Sequence, residues 1–422
     1  MKRWNVLGLA VAVVLVLGVT AVSYAAESPA VATVTAAGVG SGAAATKALP
    51  VAPKPELWVA GAKDSDFVAP GTQAAIDKGI AYLKKSQSGN GGWGLQNKDF
   101  FPNDGATAIA LLGLVRAGVP DTDPAVEKGL KYIISDVNKD GGIHGMFPNY
   151  ITSILVMTLA ATGDPQYEPA MKKAVEFLKG LQWTEGHGIA QESTDFGGAG
   201  YSALKSPDMS NEQWFVQALR ESGLPADDPA VKAALVFVKR SQAGEDAHFI
   251  CMPDGSFIYS PHGKGNSKAG TEEIPAGTKL ADGRILPSGV DGLKGYGSMT
   301  YAGFLSLIYA GLDKNDHRVQ AALGWAKKHW TVEENPEMGK QGYYYYLMTM
   351  GKALRAYGEP VIVDANGVKH DWRKELSAKL VALQHEDGSW DNSSDKFFEG
   401  SKNIVTAYGL VALECAKSKA EK

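Results

Sequence analysis

Apolar positions recur along this chain with the spacing of helices that come in pairs. The first segment of each pair has apolar residues at i, i+3, i+4 and i+7 and a Lys- and Glu-bearing opposite side, which is typical of an amphipathic helix. The second segment is apolar almost all round, which predicts a helix that is buried on most sides. The first segments open at Ile76, Val126, Met171, Val231, Val319 and Trp372, and the second segments cover 106–117, 150–161, 211–222, 299–310, 345–357 and 405–416.

Turn signals between the segments support this division into six helix pairs. Glycine adopts the left-handed conformation that ends a helix, and an Asp-Pro pair caps and starts one. Glycine follows four of the second segments, at Gly118, Gly163, Gly223 and Gly311, and Asp-Pro pairs begin at Asp123, Asp164 and Asp228. The first and last pairs are as regular as the others, whereas an open solenoid needs polar caps at its ends. We therefore predict an all-α fold, an α/α toroid in which a double ring of helical hairpins closes round a central cavity.

A motif of glutamine, glycine and tryptophan accompanies the repeat. Its full copies are Gln87-x-x-x-Gly91-x-Trp93 and Gln384-x-x-x-Gly388-x-Trp390, and a degenerate copy is Gln182-x-x-x-Gly186-x-Gly188. We interpret the glutamine as a bridge to a neighbouring backbone, the glycine as a turn residue and the tryptophan as a filler between repeats. These residues are predicted to be structural.

This motif resembles the repeat of the squalene cyclase and prenyltransferase superfamily. Other stretches are more closely similar to exported bacterial proteins with prenyltransferase and squalene oxidase repeats, namely 197–201, 207–211, 296–303, 334–336 and 370–372. The resemblance covers nearly all of the folded part. It implies a terpenoid cyclase-like toroid that acts on, or binds, an isoprenoid or another lipophilic small molecule.

Candidate acids were sought where the resemblance places the cyclase proton donor. Similar cyclases carry an Asp-x-Asp-Asp-Thr segment after a proline, and here Pro207 precedes Asp208, with Ser210 in the place of the central donor. Asp208 and Glu212 are therefore the candidates for a non-standard catalytic acid. The alternative is that Asp208 caps a helix and Glu212 lies in its first turn, where the helix dipole favours an acid.

Further candidates lie on or near the ends of the second segments. Glu334 and Asp371 are possible acids, with solvation and helix capping as their alternative roles. Aromatic rings around a cavity can hold apolar chains or stabilise a carbocation, although packing in the core is the alternative role for most of them. The predicted ligand-binding residues are Tyr201, Asn211, Trp214, Tyr301, Tyr343, Tyr346, His370, Trp372 and Trp390.

Composition and charge argue against several other classes. The net charge is −4, from 42 Lys and Arg against 46 Asp and Glu, and it is interspersed, so no nucleic acid partner is expected. The chain has no Asp-Asp-x-x-Asp segment for magnesium diphosphate, and His248-x-x-Cys251 has no third ligand for zinc. We predict no metal and no cofactor. Pairing of Cys251 with Cys415 remains open, as does the oligomeric state.

The N-terminal region predicts export. Lys2 and Arg3 precede an apolar stretch, and small residues follow it at the positions of a cleavage site, so 1–25 is predicted to be a signal peptide. Residues 26–56 are rich in Ala, Val, Thr and Pro and are predicted to be a disordered linker. The toroid is predicted over 57–418, with a long loop insertion at 244–295 that forms a lid or a mobile segment. Periplasm or cell exterior is the expected location, with membrane contact only through an uncleaved N-terminal segment.

Three functions remain open from the sequence. The first is a toroid that binds an isoprenoid or other lipophilic ligand, with or without cyclase or transferase activity through a non-standard acid. The second is a non-catalytic scaffold or binding module, because the standard acid, magnesium and zinc motifs are missing. The third is a carbohydrate-active toroid, which rests on fold-level analogy alone.

Overall fold

The computed structural model describes residues 67–95, 103–280 and 283–417. The predicted signal peptide (1–25) and linker (26–56) lie outside these ranges. The predictions of export and of a membrane anchor rest on those residues and stay predictions.

The described chain contains twelve α-helices, which alternate between two layers. The outer helices are α1 (Thr72–Ser86), α3 (Pro124–Ser135), α5 (Glu168–Lys179), α7 (Pro229–Arg240), α9 (His317–Lys328) and α11 (Trp372–Leu383). The inner helices are α2 (Asn103–Arg116), α4 (Pro148–Thr162), α6 (Met209–Glu221), α8 (Gly297–Tyr309), α10 (Tyr343–Tyr357) and α12 (Lys402–Ala416). Each inner helix overlaps one of the predicted second segments and begins two or three residues before it.

The inner helices form a closed ring. Consecutive inner helices pack side by side from α2 through α4, α6, α8 and α10 to α12, and α12 packs back against α2. Outer helices lie against this ring, and α1 contacts both α11 and α12. Since every inner helix is buried by two neighbours and by the outer layer, it is apolar almost all round. The predicted α/α toroid is confirmed.

The predicted turn signals form helix ends in the structure. Asp123, Asp164 and Asp228 each accept a hydrogen bond from the backbone N–H two residues later and so cap a helix. After α2, Gly118 has a φ of 85° and the Val119 N–H donates to the Leu114 carbonyl, which closes the last turn. The other three predicted glycines also have positive φ.

The motif glutamines join neighbouring outer helices. The Gln87 Nε2 donates to the Gly91 and Ala125 carbonyls at 2.8 Å each, which joins α1 to α3. The Gln384 Nε2 donates in the same way to Gly388, at 3.0 Å, and to Ala75, at 2.8 Å, which joins α11 to α1. The second pair of bonds closes the outer ring. The structural interpretation of the glutamine is therefore confirmed.

Two further glutamines make the same connection across insertions. The degenerate copy was assigned the wrong glycine: Gln182 donates to the Gly197 carbonyl, not to Gly186, and to Ala230 on α7. Gln242 donates to the Gly255 carbonyl and to Arg318 on α9, and the sequence motif missed it altogether. In both cases extra residues lie between the glutamine and its glycine, so the fixed spacing no longer applies.

Replacing Gln384 tests whether these bonds hold the ring together. Gln384→Leu leaves two backbone carbonyls without their partner, so we expect a loss of about 2 kcal/mol in the free energy of unfolding, measured by urea denaturation. Gln73→Leu is the control, because the exposed Gln73 side chain bonds, within the described ranges, to Asp77 of the same helix. Equal losses in the two variants would contradict a role in ring closure.

The segment between α7 and α8 contains a small hairpin. Strands β1 (Thr271–Ile274) and β2 (Val290–Leu293) pair antiparallel, and a second hairpin of β3 (Val361–Val363) and β4 (Lys369–Asp371) precedes α11. The segment between α7 and α8 is attached to two inner helices, because the Tyr259 carbonyl accepts from the Met209 N–H of α6 and the Phe257 N–H donates to the Thr300 hydroxyl of α8. It thereby brings Tyr259 to the N-terminus of α6.

Candidate functional site

A cavity opens at the N-terminal ends of the inner helices. All six contribute to its wall within their first two turns, so the six helices run in the same direction, away from the mouth. With its open mouth, the cavity encloses about 1010 Å³ of empty space. This volume includes open solvent at the mouth.

The wall of the cavity is mainly aromatic and aliphatic. Of the twenty described residues that line it, nine are aromatic: Phe147, Tyr150, Tyr201, Tyr259, Tyr296, Tyr345, Phe397, Phe398 and Tyr408. Six more are aliphatic or Met: Ile109, Ile151, Ile154, Met299, Met338 and Ile404. Lys268 is the one charged side chain among them, and its ammonium lies over the Tyr259 ring, 4.1 Å from the centroid. The surface is suited to apolar chains.

The N-terminus of α6 holds the segment where the resemblance places the cyclase acid. Ser210 lies in the cavity wall, whereas Asp208 is buried behind it and accepts hydrogen bonds from the Ser210 and Asn211 N–H groups at 3.0 Å. Asp208 therefore caps α6. Burial raises the pKa of its carboxyl to about 6, although hydrogen bonds from Asn211 and Tyr259 favour the ionised form.

Glu212 does not reach the cavity. Its side chain is fully buried, and one carboxyl oxygen accepts a hydrogen bond from the Ala199 N–H at 2.7 Å while the other has no partner among the described residues. Burial raises the pKa of this carboxyl well above its ordinary value. Glu212 thus fixes the loop before α6, and the geometry does not bring it to a ligand.

The other predicted polar residues lie away from the cavity. Glu334 is exposed in the loop before α10. Asp371 is half-buried and caps α11 through the Lys374 N–H. His370 bonds to the Glu375 carboxylate at 2.8 Å and stacks on Trp330. Their predicted roles have no geometric connection to the cavity.

Of the nine predicted ligand-binding residues, the structure places Tyr201 in the cavity wall. Asn211 bonds to Asp208, and Trp214 lies deeper in the ring. The side chains that pack between helices, or bond to loop carbonyls, are Tyr301, Tyr343, Tyr346, Trp372 and Trp390. Because an inner helix is apolar all round, its sequence does not show which face points to the ring axis.

The aromatic residues that form the wall follow a simpler rule. Tyr150, Tyr345 and Tyr408 lie in the first two turns of their helices, and Tyr296 immediately precedes α8. Position relative to the helix start would have identified them. In the four-tyrosine run, Tyr345 is the residue that faces the cavity, whereas the sequence analysis favoured Tyr343 and Tyr346.

Two phenylalanines at the mouth have an unusual backbone. Phe397 and Phe398 have φ values of 58° and 65°, a left-handed conformation that aromatic residues rarely adopt. The next residue, Glu399, is buried and accepts bonds from the Tyr344 and Tyr345 N–H groups at the N-terminus of α10. Burial raises the pKa of Glu399 to about 7. This carboxyl fixes the phenylalanine pair in place.

Side chains from α6 and α10, which lie on either side of α8 in the ring, meet beneath the cavity. The Tyr345 hydroxyl donates to the Gln213 Oε1 at 2.7 Å, which links α10 to α6. Deeper along the same helices, the Lys352 ammonium lies 4.2 Å from the centroid of the Trp214 ring. We call the Tyr345–Gln213 contact the floor of the cavity. The hollow therefore occupies only the N-terminal part of the ring.

The described ranges were predicted to contain no metal site. They hold no group of three His, Cys, Asp or Glu side chains placed to bind a metal ion. None of the helices within them has the length and apolar character required to cross a bilayer.

Solved structures with a similar fold include several glycoside hydrolases. The GH76A α-1,6-mannanase of Salegentibacter sp. aligns with a TM-score of 0.55 and 11% identity, over 82% of this chain and 98% of that one. A family 76 glycoside hydrolase from a bovine Bacteroides thetaiotaomicron strain aligns with a TM-score of 0.51 and 10% identity, over 83% and 78% of the two chains. At these identities the likeness concerns the fold alone.

Sequence comparison identifies a different relative. Residues 101–249 match the family model of the squalene-hopene cyclase C-terminal domain. A probable squalene–hopene cyclase of Sinorhizobium fredii is 26% identical over 191 residues, which are 40% of this chain and 29% of that protein. The chain thus aligns with less than a third of this relative. Together with the glutamine motifs, these matches confirm the resemblance to the squalene cyclase superfamily.

Proposed function

We propose that this protein binds an isoprenoid, or a similar apolar chain, in the cavity at the N-terminal ends of the inner helices. The composition of the wall is the observation that supports this proposal. Fifteen of the twenty lining residues are aromatic, Ile or Met, and the cavity is open at one end and closed by the floor at the other. An apolar chain that enters such a space leaves water and gains aromatic contacts.

The same wall argues against a carbohydrate substrate. Hydrolysis of a glycosidic bond usually needs two carboxyl groups on either side of the bond. Among the described residues, the cavity wall contains no Asp or Glu. The likeness to an α-1,6-mannanase therefore does not extend to a pair of acids here.

We further propose that binding, rather than acid-initiated cyclisation, is the activity of the cavity. An acid that protonates an alkene must touch the substrate, and Ser210 stands where the resemblance places that acid. Asp208 is nearby but caps α6 from behind the wall. A binding module with a lipophilic ligand fits both features.

Ligand binding to a variant with a filled cavity tests the proposal. We expect geranylgeraniol to quench the intrinsic fluorescence of the wild type saturably, and α-1,6-mannotriose to have no effect. Met299→Trp replaces a linear side chain in the wall with a larger, aromatic one and should weaken geranylgeraniol binding roughly tenfold. The control is Met171→Trp, because Met171 lies on the outer helix α5.

The outcomes separate the open functions. Saturable binding of the isoprenoid that only Met299→Trp weakens supports the proposal. Binding of mannotriose would instead favour the carbohydrate-active alternative. No binding of either molecule would favour a scaffold.

A further inference from the structure

A buried lysine beneath the floor of the cavity has no counterion within the described part of the chain. Lys352 of α10 is 9% exposed, and its ammonium has no hydrogen-bond partner among the described residues. Contact with the Trp214 ring offsets part of the cost of burying the charge. A buried charge that lacks both a hydrogen bond and a counterion is unfavourable, and such a group in a native structure requires an explanation.

The nearby charged groups do not supply this counterion. Glu221 of α6 raises the pKa of Lys352, but its carboxylate forms an ion pair with Arg116 of α2. Cys415 of α12 is buried, and burial keeps its thiol protonated at neutral pH. Burial lowers the pKa of Lys352 to about 8, so at pH 7 the amine is still mainly charged.

Two more polar atoms near the lysine also lack partners. On α6, Gln213 and Gln217 lie one turn apart on the same face, and both are fully buried. The Gln213 Nε2 and the Gln217 Oε1 have no hydrogen-bond partner in the described chain. On α10, Tyr345 and Lys352 likewise share a face, seven residues apart. Trp214, whose ring contacts the Lys352 ammonium, directly follows Gln213 on α6.

We propose that the space around the Lys352 ammonium binds an acidic group, which is either the headgroup of the chain-like ligand or a free anion. A carboxylate or phosphate would pair with the ammonium and accept a hydrogen bond from the Gln213 amide. In the headgroup case, which rests on the proposed function, the chain lies in the cavity above. In that case Tyr345 would rotate and release Gln213, so that the headgroup passes from the cavity to Lys352.

A matched pair of ligands tests the headgroup case. Geranylgeranoic acid and geranylgeraniol share one chain and differ in charge. We expect the wild type at pH 7 to bind the acid at least about tenfold more tightly than the alcohol, as for a hydrogen-bonded charged group. Lys352→Met should abolish this preference and leave the affinity for the alcohol unchanged. Lys264→Met, in an exposed loop, should retain it.

A measurement on the wild type does not depend on how the variant folds. The preference for the acid should decrease as pH rises from 7 to 9, because the Lys352 amine loses its proton in that window. Acetate has the charge without the chain, so it tests the free-anion case. If the site binds a free anion, acetate should raise the melting temperature of the wild type but not that of Lys352→Met.

The results that overturn the inference are distinct from those that overturn the proposed function. The inference is wrong if acetate does not raise the melting temperature of the wild type and geranylgeranoic acid binds no more tightly than geranylgeraniol. It is also wrong if Lys268→Met, at the mouth of the cavity, abolishes the preference for the acid and Lys352→Met does not. Failure of geranylgeraniol to bind removes the proposed function. In that case a melting shift with acetate that requires Lys352 still supports the anion site.

Discussion

Gly388→Ala is expected to destabilise the ring by about 3 kcal/mol, because two unfavourable effects coincide at this position. Gly388 has a φ of 86°, which an alanine adopts only with strain. A Cβ atom at this residue would also lie 2.4 Å from the Lys78 carbonyl oxygen of α1. That oxygen belongs to helix backbone, so it cannot move away without displacing α1.

The control for this variant is Gly118→Ala. Gly118 has nearly the same φ, 85°, but a Cβ atom there would meet no atom within 4 Å. We expect this change to cost about 1 kcal/mol, which is the backbone term alone. Urea denaturation of both variants isolates the contact with α1. If the two losses are equal, the close approach of the Gly388 turn to α1 is not important for stability.

Glu212→Gln is expected to stabilise the protein at pH 8 and to have little effect at pH 4. Burial raises the pKa of Glu212 in the folded state well above its ordinary value. Between these two pKa values, the folded protein retains a proton that the unfolded chain releases. The free energy of unfolding therefore falls as pH rises through this window. A glutamine side chain does not titrate in this pH range, so the free energy of unfolding of the variant does not show this decrease.

Denaturation curves at pH 4, 6 and 8 measure this effect, with Glu386→Gln at an exposed position as the control. Some pH dependence should remain in Glu212→Gln, because burial also raises the pKa of Asp208 to about 6 and of Glu399 to about 7. If Glu212→Gln is less stable than the wild type at pH 8, the folded protein contains a group that stabilises the ionised Glu212 carboxylate. That result would refute the expected gain in stability.

Much of the fold could be predicted because helix periodicity is a local property of the sequence. The predicted second segments start two or three residues late, since the first turns contain polar residues or proline, as in Pro148 of α4 and Asn403 of α12. Ring closure was also predictable, from the regularity of the first and last pairs. The glutamine link through Gln242 was not, because an insertion separates it from Gly255.

The candidate site was predicted less well, for a physical reason. The direction of a side chain on a helix buried on all sides depends on which neighbours surround it, and composition does not encode this. Trp214 and Tyr301 were expected to face the ligand and instead fill the ring. Phe397 and Phe398 come from a loop with strained backbone that no periodicity marks.

The link between α11 and α1 also affects how the domain unfolds. In a linear array of helical hairpins the outermost hairpin frays first, since it has one neighbour instead of two. Here the Gln384 bonds give the first and last hairpins a neighbour on each side. None of the six described hairpins is therefore terminal, so none is the preferred place for unfolding to begin. Amide protons in all six should therefore exchange in a single cooperative opening.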